Sequence, residues 1–337
     1  IEKSRTGMVA AIGKLPRGTW KGHMRIDGYD APIDLHAAVT IEADHIAVDY
    51  AGTSGSSIYG INSPMCYTEA YTAFGIKCVV APTIPNNAGT LDSILVTAPE
   101  NTIVNALFPA AVNARSTIGH MLPDVCFDAL HQVIPGRVPA EGTSNLWNLK
   151  LGAGHGMTGT TGNSRPFMVT TFHSGGAGAR PTLDGLSATP FPSGVRNVPV
   201  EITETIAPVV VWKKEYRQDS GGAGERRGGL GQVMEVEHRE GAPFGIFATF
   251  ERVKHPARGR DGGKPGGNGR LSLASGRELK PKGFQTVPAG ERLVVEMPGG
   301  GGFGDPGKRD REAVAQDVRL GLVSREQAKA AYGVDGD

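Results

Sequence analysis

The sequence predicts an α+β protein with β-rich sheets, long glycine-rich loops, a few helices and a small helical C-terminal tail. Three observations support this fold class. Apolar and polar residues alternate along several short segments, as in half-buried strands. Other segments carry apolar residues at helical spacing. The 337 residues also include 49 glycines. This is about twice the average usage, and because the glycines are not periodic they indicate turns and close backbone approach.

The first element pair is a hairpin. Residues 33–51 contain two alternating runs, and the polar residues 42–45 between them predict the connection. The residues predicted to share the buried face are Leu35, Ala37, Val39, Ile41, Ile46, Val48 and Tyr50.

Two helices follow the hairpin. Residues 65–80 predict a helix because apolar residues recur at helical spacing. These residues are Ala70, Phe74 and Cys78. A second helix is predicted over 117–133, where Pro123 marks either a kink or an early start.

Beyond residue 165 the chain is predicted to consist mostly of strands bounded by glycine or proline. They are PFMVTTF (166–172), PVEITET (199–205), GQVMEVEHR (231–239), FGIFATFE (244–251) and ERLVVEMP (291–298). The tail predicts two short helices, over 310–321 and 324–333, the second with a capping box from Ser324 to Gln327. The resulting organisation is an α+β part over 1–160, a β-rich glycine-loop part over 161–306 and a helical tail over 307–337.

Composition excludes several classes of protein. The formal net charge is +1, which gives no electrostatic reason to expect nucleic acid or an anionic membrane as partner. No apolar run approaches the roughly 20 residues that span a bilayer. Three cysteines, Cys66, Cys78 and Cys126, are too few for a disulfide scaffold, and Cys66 and Cys78 fit small buried hydrophobes. We therefore expect a cytoplasmic protein.

A possible phosphate-binding loop lies near the C-terminus. Gly302 to Lys308 matches GxxxxGK between a predicted strand and a helix. However, Arg309 stands where a Ser or Thr would hold magnesium, and Pro306 removes an amide that would face phosphate. A glycine-rich turn packed closely against its neighbours is the favoured interpretation.

Other glycine loops supply candidate ligand contacts. The loop 172–185 contains His173, Arg180 and Asp184, and the loop 219–232 contains Arg226 and Arg227. Polar groups beside glycines can approach a ligand closely, so these five residues are predicted to line a substrate pocket or a subunit interface. The alternative is that both loops are purely structural. No residue pattern identifies a catalytic group, and His120 with Asp124 lacks the further ligand that a metal site needs.

The order of these blocks resembles the hydantoinase B/5-oxoprolinase family. The blocks are DYAGTSGSSIYGINSP (49–64), IPNNAGTLDSILVTAPENTIVN (84–105), FPAAVNARS (108–116), GGAGARPTLDG (175–185), PVEITE (199–204), DSGGAGERRGGLGQ (219–232), GGKPGGNG (262–269) and MPGGGGFGDPGKRDREAVAQDVRLGLVS with AYGV (297–334). The resemblance covers nearly the whole chain.

The resemblance implies a subunit of a multi-subunit, ATP-dependent enzyme that is not active alone. ATP with Mg²⁺ is expected on a hydantoinase A-type partner subunit. A divalent metal is expected on the N-terminal part of the B-type subunit, which this chain lacks, so no metal ligand is assigned here. Many members carry a Glu shortly before the GG of the 175–176 loop, where this chain has Thr171 and His173.

Three functions remain open. The first is hydrolysis of a cyclic amide, a small-molecule substrate, with this chain shaping the substrate pocket and the subunit interface. The second is ATP-dependent carboxylation of a ketone, as in acetone and acetophenone carboxylases. The third is a non-catalytic scaffold subunit.

Overall fold

The computed structural model describes residues 1–154, 165–189 and 191–334. The chain divides into two compact units, residues 1–139 and 140–337. The boundary predicted at 160, within the apolar-poor stretch 156–166, falls outside the described residues. Within the described part, no helix is long and apolar enough to cross a membrane.

The first unit contains a four-stranded sheet in the order β1-β2-β3-β4, in which β3 and β4 are parallel and the other pairs antiparallel. Its elements are α1 (Glu2–Ile12), β1 (Gly18–Ile26), β2 (Ile33–Ile41), β3 (Ile46–Asp49), α2 (Met65–Val80), α3 (Ala88–Leu91), β4 (Ile94–Thr97), α4 (Ser116–Gly119), α5 (Leu122–Leu130) and a 3₁₀ turn (Pro135–Arg137).

The predicted hairpin is confirmed. Strands β2 and β3 are joined by residues 42–45, and every residue predicted for the shared face is buried. Helix α5 packs against β1 and β2. Gly22 allows this packing, because a Cβ atom there would lie 2.2 Å from the Val125 carbonyl oxygen.

The bounds predicted for α2 are confirmed, but the apolar residues that predicted it do not form its buried face. Ala70 is exposed, whereas Thr68, Thr72 and Ile76 are fully buried. Buried threonines are possible because their hydroxyls find partners, as in the 2.6 Å bond between Thr72 and Tyr50. Hydropathy alone therefore selected the wrong face. Cys66, expected to be a buried hydrophobe, is exposed as well.

The second predicted helix is two helices, α4 and α5, separated at residues 120–121. Pro123 lies in the first turn of α5, where its missing amide costs nothing because that amide has no partner within a helix. Of the two alternatives for Pro123, the early start is confirmed.

The second unit contains two four-stranded sheets, in the orders β10-β12-β8-β7 and β11-β9-β5-β6, and every pairing is antiparallel. Its elements are β5 (Trp147–Ala153), β6 (Phe167–His173), α6 (Val200–Ile206), β7 (Val209–Tyr216), β8 (Gln232–His238), β9 (Phe244–Thr249), β10 (Arg270–Leu273), β11 (Lys282–Val287), β12 (Leu293–Glu296), a 3₁₀ turn (Pro306–Lys308), α7 (Arg311–Arg319) and α8 (Arg325–Tyr332). The sheets share one hydrophobic core, to which Trp147 and Phe244 contribute from one sheet and Met234 and Val295 from the other.

Four of the five strands predicted in this half are confirmed as β6, β8, β9 and β12. The fifth prediction is wrong, because PVEITET forms helix α6. Its β-branched residues favour a strand, but tertiary contacts override that weak preference. The Glu204 carboxylate accepts a hydrogen bond from the Val211 amide at 2.8 Å, which ties the helix to β7.

Both tail helices are confirmed. They share a small core of Val314, Val323 and Ala328. The Ser324 hydroxyl accepts a hydrogen bond from the Gln327 amide at 3.1 Å, as the capping box predicts.

Candidate functional site

Five glycine-rich segments of the second unit meet and hydrogen-bond to one another through their backbones. We call this assembly the glycine bundle; its segments are residues 140–143, 175–179, 221–229, 257–267 and 298–304. Four of the segments overlap glycine-rich blocks quoted from the sequence, and the fifth, 140–143, does not. Their convergence explains why glycine is so abundant in this chain.

The segment 298–304 lies at the centre of the bundle. The amide of Gly299 donates to the Gly267 carbonyl at 3.0 Å, and those of Gly300 and Gly301 donate at 2.9 Å to other segments, at Gly229 and Glu141. The amide of Gly302 donates to the Lys264 carbonyl, in the same segment, 257–267, that Gly299 contacts. The amides along 298–304 thus point in directions that repeat every third residue. This is the pattern of a helix with three residues per turn, as in polyproline II and collagen.

Glycine is required at these positions because the backbones touch. A Cβ atom on Gly300 would lie 2.1 Å from the Ala177 carbonyl oxygen, and one on Gly176 would lie 1.8 Å from that of Gly229. No side chain fits at such distances. The same reasoning applies to glycine at the axis of collagen.

The bundle also decides the phosphate-loop question. The amides of Gly299 to Gly302 all donate to protein carbonyls, and the Gly304 amide donates to Arg260. Phosphate loops need such amides free to face the anion. The favoured interpretation, a closely packed glycine turn, is confirmed.

Three of the five predicted site residues meet at one edge of the bundle. The Asp184 carboxylate accepts a 2.7 Å bond from the Arg227 backbone amide. The backbone carbonyl of Asp184 accepts a 2.8 Å bond from the Arg180 guanidinium. Arg309 joins this group from the tail, donating to both Asp184 oxygens at 2.7 Å and to Asp317 at 2.8 Å. Arg227 donates from Nε to the same Asp317 oxygen at 3.1 Å. Asp184, Arg227, Arg309 and Asp317 therefore form a network of two cations and two anions.

Electrostatics keep Asp184 and Arg309 charged. Burial opposes ionisation of Asp184, but the hydrogen bonds and charges of Arg309 and Arg227 outweigh it and hold the Asp184 pKa below its ordinary value. Burial likewise disfavours the charge of Arg309, yet the carboxylates of Asp184 and Asp317 raise its pKa. The Arg309 side chain is only 3% exposed. This network fastens the tail to the glycine loops.

A second buried network, which the sequence analysis missed, fixes another edge of the bundle. The Glu141 side chain is 1% exposed and accepts bonds from Arg252 at 3.2 Å and from the Arg258 guanidinium at 2.6 Å. Arg252 is equally buried, whereas Arg258 is about half exposed. Only Arg258 therefore presents a positive charge to solvent here. These residues lie in segments without any recognisable motif, so only proximity in the fold reveals them.

His173 does not join the other candidates. It ends strand β6 with 2% of its surface exposed, and its Nε2 lies 2.8 Å from the Thr171 hydroxyl. Within the described part of the chain, its Nδ1 has no hydrogen-bond partner. Burial, aided by the charge of Lys214, lowers the His173 pKa to about 3. The imidazole is therefore neutral at physiological pH.

Arg226 and Arg180 are the arginine candidates that keep partial access to solvent. The Arg226 amide donates to the Phe303 carbonyl, which fixes its backbone on the bundle, and its side chain is about one-third exposed beside Glu225. The Nε atoms of Arg226 and Arg180 have no partner among the described residues. Those Nε atoms are buried, so only the exposed part of each guanidinium group could reach a ligand or a partner.

His120 in the first unit belongs to an aromatic cluster. Its Nε2 lies 3.2 Å from the Tyr71 hydroxyl and 3.4 Å from that of Tyr67, and burial lowers its pKa to about 4. Across residues 1–154, 165–189 and 191–334, no group of three or more His, Cys, Asp or Glu residues could hold a metal ion.

The fold and the site thus define an α+β chain whose glycine loops pack closely and whose Asp184 and Glu141 carboxylates pair with arginines. The family model of hydantoinase B/oxoprolinase matches residues 1–306, so the chain belongs to this family. The B-type subunit of a putative D-/L-hydantoinase from Pseudomonas sp. (strain NS671) is 30% identical over 96% of this chain. The β-subunit of the caprolactamase from Pseudomonas jessenii is 32% identical over 97% of it.

Solved structures agree with this membership. The crystal structure of the ATP-dependent caprolactamase from Pseudomonas jessenii matches all of this chain with a TM-score of 0.87 and 28% identity. A nucleotide-free acetone carboxylase matches 98% of it with a TM-score of 0.77 and 20% identity, which shows a common fold. The chain spans only 57% and 58% of the two relatives and 60% of the caprolactamase chain.

Proposed function

We propose that this chain forms part of the B-type subunit of an ATP-dependent enzyme that hydrolyses a cyclic amide. The observation that carries the proposal is the match along the entire chain to the ATP-dependent caprolactamase structure, together with family membership over residues 1–306. The chain would act with a hydantoinase A-type subunit that binds ATP and Mg²⁺. The remaining part of the B-type polypeptide would carry the divalent metal.

The proposed reaction has two stages. The γ-phosphoryl group of ATP passes to the amide oxygen, which leaves ADP and an activated amide carbon. Water then adds to that carbon and the ring C–N bond breaks, which gives an amine and an acyl phosphate. A second water hydrolyses the acyl phosphate to a carboxylate and free phosphate. Phosphorylation helps because the leaving oxygen departs with its charge already stabilised on phosphate.

Within this scheme the glycine bundle acts as a rigid platform. Asp184 and Arg227 hold the platform together, since their charges are paired internally. Arg180, Arg226 and Arg258 are the groups proposed to contact the substrate or a partner subunit, because each retains exposed surface. His173 is proposed to support the pocket wall from inside, since it is buried.

ATP turnover by the purified complex tests the reaction class. With 5-oxoproline, hydantoin and caprolactam as probes, we expect ADP and ring-opened product in equal amounts without bicarbonate. Turnover that requires bicarbonate and a ketone would overturn the hydrolase in favour of the carboxylase. Acetone carboxylase shares the fold at 20% identity, which does not favour that alternative.

Two kinds of variant test the role of this chain. Arg226→Ala and Arg180→Ala should change KM or kcat, and unchanged values for both would remove these residues from the pocket. Gly176→Val should impair assembly, because its Cβ atom would meet the Gly229 carbonyl. If complexes that still assemble keep full activity in all three variants, the chain is a scaffold only.

A further inference from the structure

Strand β4 forms an edge of the first unit's sheet, and one side of its backbone is open. The carbonyls of Ser93 and Thr97 accept hydrogen bonds from the β3 side at 3.0 and 2.9 Å. The backbone groups of successive strand residues point to opposite sides. Those of Ile94 and Val96 therefore point away from β3, and within the described part no backbone partner is recorded for them.

A groove runs along this open side. Its volume is about 760 Å³, and β4 forms one wall and the exposed face of α2 the other. Ala70, which the sequence marked as part of an apolar stripe, lies in the α2 wall beside Cys66. On the other side Leu95 is 51% exposed and Leu91 39%. The groove thus combines free backbone hydrogen-bonding groups with these apolar side chains. Arg5, Glu69 and Asp92 complete its lining, and Arg5 and Asp92 are paired with each other.

Other sheet edges in the described structure are protected in ways that β4 is not. Edge strands usually carry charges or a cover that prevent pairing with another chain. Strands β1, β7, β10 and β11 each contain a Lys or Arg, and helix α6 packs on β6. Strand β4 has the sequence ILVT, without charge or proline. A parallel edge pair is also normally covered.

The relatives indicate what could cover it. This chain spans 57% of the hydantoinase relative and 60% of the caprolactamase chain, so about two-fifths of each lies outside the match. A strand from that part would bury the apolar wall and satisfy the backbone groups of Ile94 and Val96. A strand matches these groups directly, since strand addition uses main-chain hydrogen bonds for affinity.

We propose that the open side of β4 and the groove against α2 are the docking site for a β-strand from the remaining part of the B-type polypeptide. The inference rests on the proposed function, because that function supplies the occupant. It adds a defined contact: hydrogen bonds at Ile94 and Val96, with Leu95 and Ala70 covered.

Hydrogen exchange at single amides tests the contact. The complex is purified through a tag on this chain, its components are identified by mass, and exchange is compared with that of the chain alone. We expect the amides of Ile94 and Val96 to exchange at least tenfold more slowly in the complex. The amide of Leu95, which the ladder to β3 already uses, serves as the internal reference.

Two variants separate a docked strand from other occupants. Val96→Pro removes an outward amide while leaving the ladder to β3 intact, and should lower the recovery of the B-type segment at least tenfold. Leu95→Lys should do the same, whereas Leu320→Lys, at a leucine 60% exposed in the tail, should not. Circular dichroism and the unfolding midpoint verify that each variant folds.

The outcomes are distinct. If the B-type segment is present but Ile94 and Val96 exchange as in the isolated chain, the docking site is wrong and the proposed function stands. If the Ile94 and Val96 amides are protected but the Val96→Pro variant recovers the B-type segment normally, a hydrogen-bonded strand is excluded. If neither an A-type nor a B-type polypeptide accompanies the chain, the proposed function falls, and the docking site with it.

Discussion

Replacing Arg309 by Met should release the helical tail from the glycine bundle. Arg309 makes three charged hydrogen bonds, two to Asp184 and one to Asp317. Breaking a buried ion pair from one side costs about 3–5 kcal/mol because the other charge stays buried. Asp317 is 8% exposed but Asp184 is 35% exposed and can be rehydrated. We therefore expect the lower end, about 3 kcal/mol.

Hydrogen exchange of the α7 amides measures this loss, since detachment of the tail exposes them. A change of about 3 kcal/mol corresponds to exchange on the order of 100-fold faster, at a factor of ten per 1.4 kcal/mol. Arg319→Met is the matched control. Arg319 also bonds a carboxylate, that of Glu312, but these side chains are 55% and 77% exposed, so about 0.5 kcal/mol or less is expected. Equal exchange rates in the two variants would refute the claim that the buried network holds the tail.

That network has a further test in Asp317→Asn added to Arg309→Met. The double change should cost less than the sum of the single changes because both remove the same bond between Arg309 and Asp317; strict additivity would contradict the coupling.

Three further predictions concern stability, measured by urea unfolding. Gly300→Ala should cost at least about 3 kcal/mol, because the new Cβ atom would overlap the bundle, whereas Gly307→Ala, with no contact closer than 3.4 Å, should cost under about 0.5 kcal/mol; similar losses would argue against close packing. The pKa of His173 is about 3 in the fold and about 6.5 when unfolded, so its contribution to stability is present above pH 6.5 and declines as the pH falls towards 3. Between pH 7.5 and 5.0 the loss is about 2 kcal/mol, and His173→Gln should reduce the pH dependence by that amount; an unchanged slope would contradict it. Ser324→Ala should cost about 1 kcal/mol through loss of the helix cap, and no loss would show that the cap contributes nothing.

The features that the sequence predicted well are those determined by neighbouring residues. The bounds of α2, the β2–β3 hairpin and the cap at Ser324 depend on the spacing of residues that are close in the sequence. The prediction for PVEITET was wrong because a contact from Glu204 to strand β7 outweighed a local preference. The prediction of the buried face of α2 was wrong for a similar reason. Its threonines are buried by hydroxyl partners on other elements, and hydropathy does not register such partners.

The candidate site shows the same division. Asp184 and Arg227 were predicted as site residues because they lie in glycine loops, and the fold brings these two together. Arg309, the main partner of Asp184, is 125 positions away from it, and no spacing rule connects the two. Glu141 and Arg252 are similarly separated by 111 positions. The bundle joins five distant segments, so its three-residue repeat exists only between chain segments and has no counterpart along the sequence.

The contacts of Arg309 explain why the GxxxxGK match at 302–308 is not a phosphate-binding loop. Its position after GxxxxGK argued against a phosphate loop, since Ser or Thr would be needed there to hold magnesium. In the fold the same guanidinium pairs with Asp184 and Asp317, while the glycine amides before it bond to other backbone segments. This segment therefore offers neither the hydroxyl nor the free amides that a phosphate loop requires. A glycine-rich segment of this kind stabilises a platform, and it does not supply a nucleotide site.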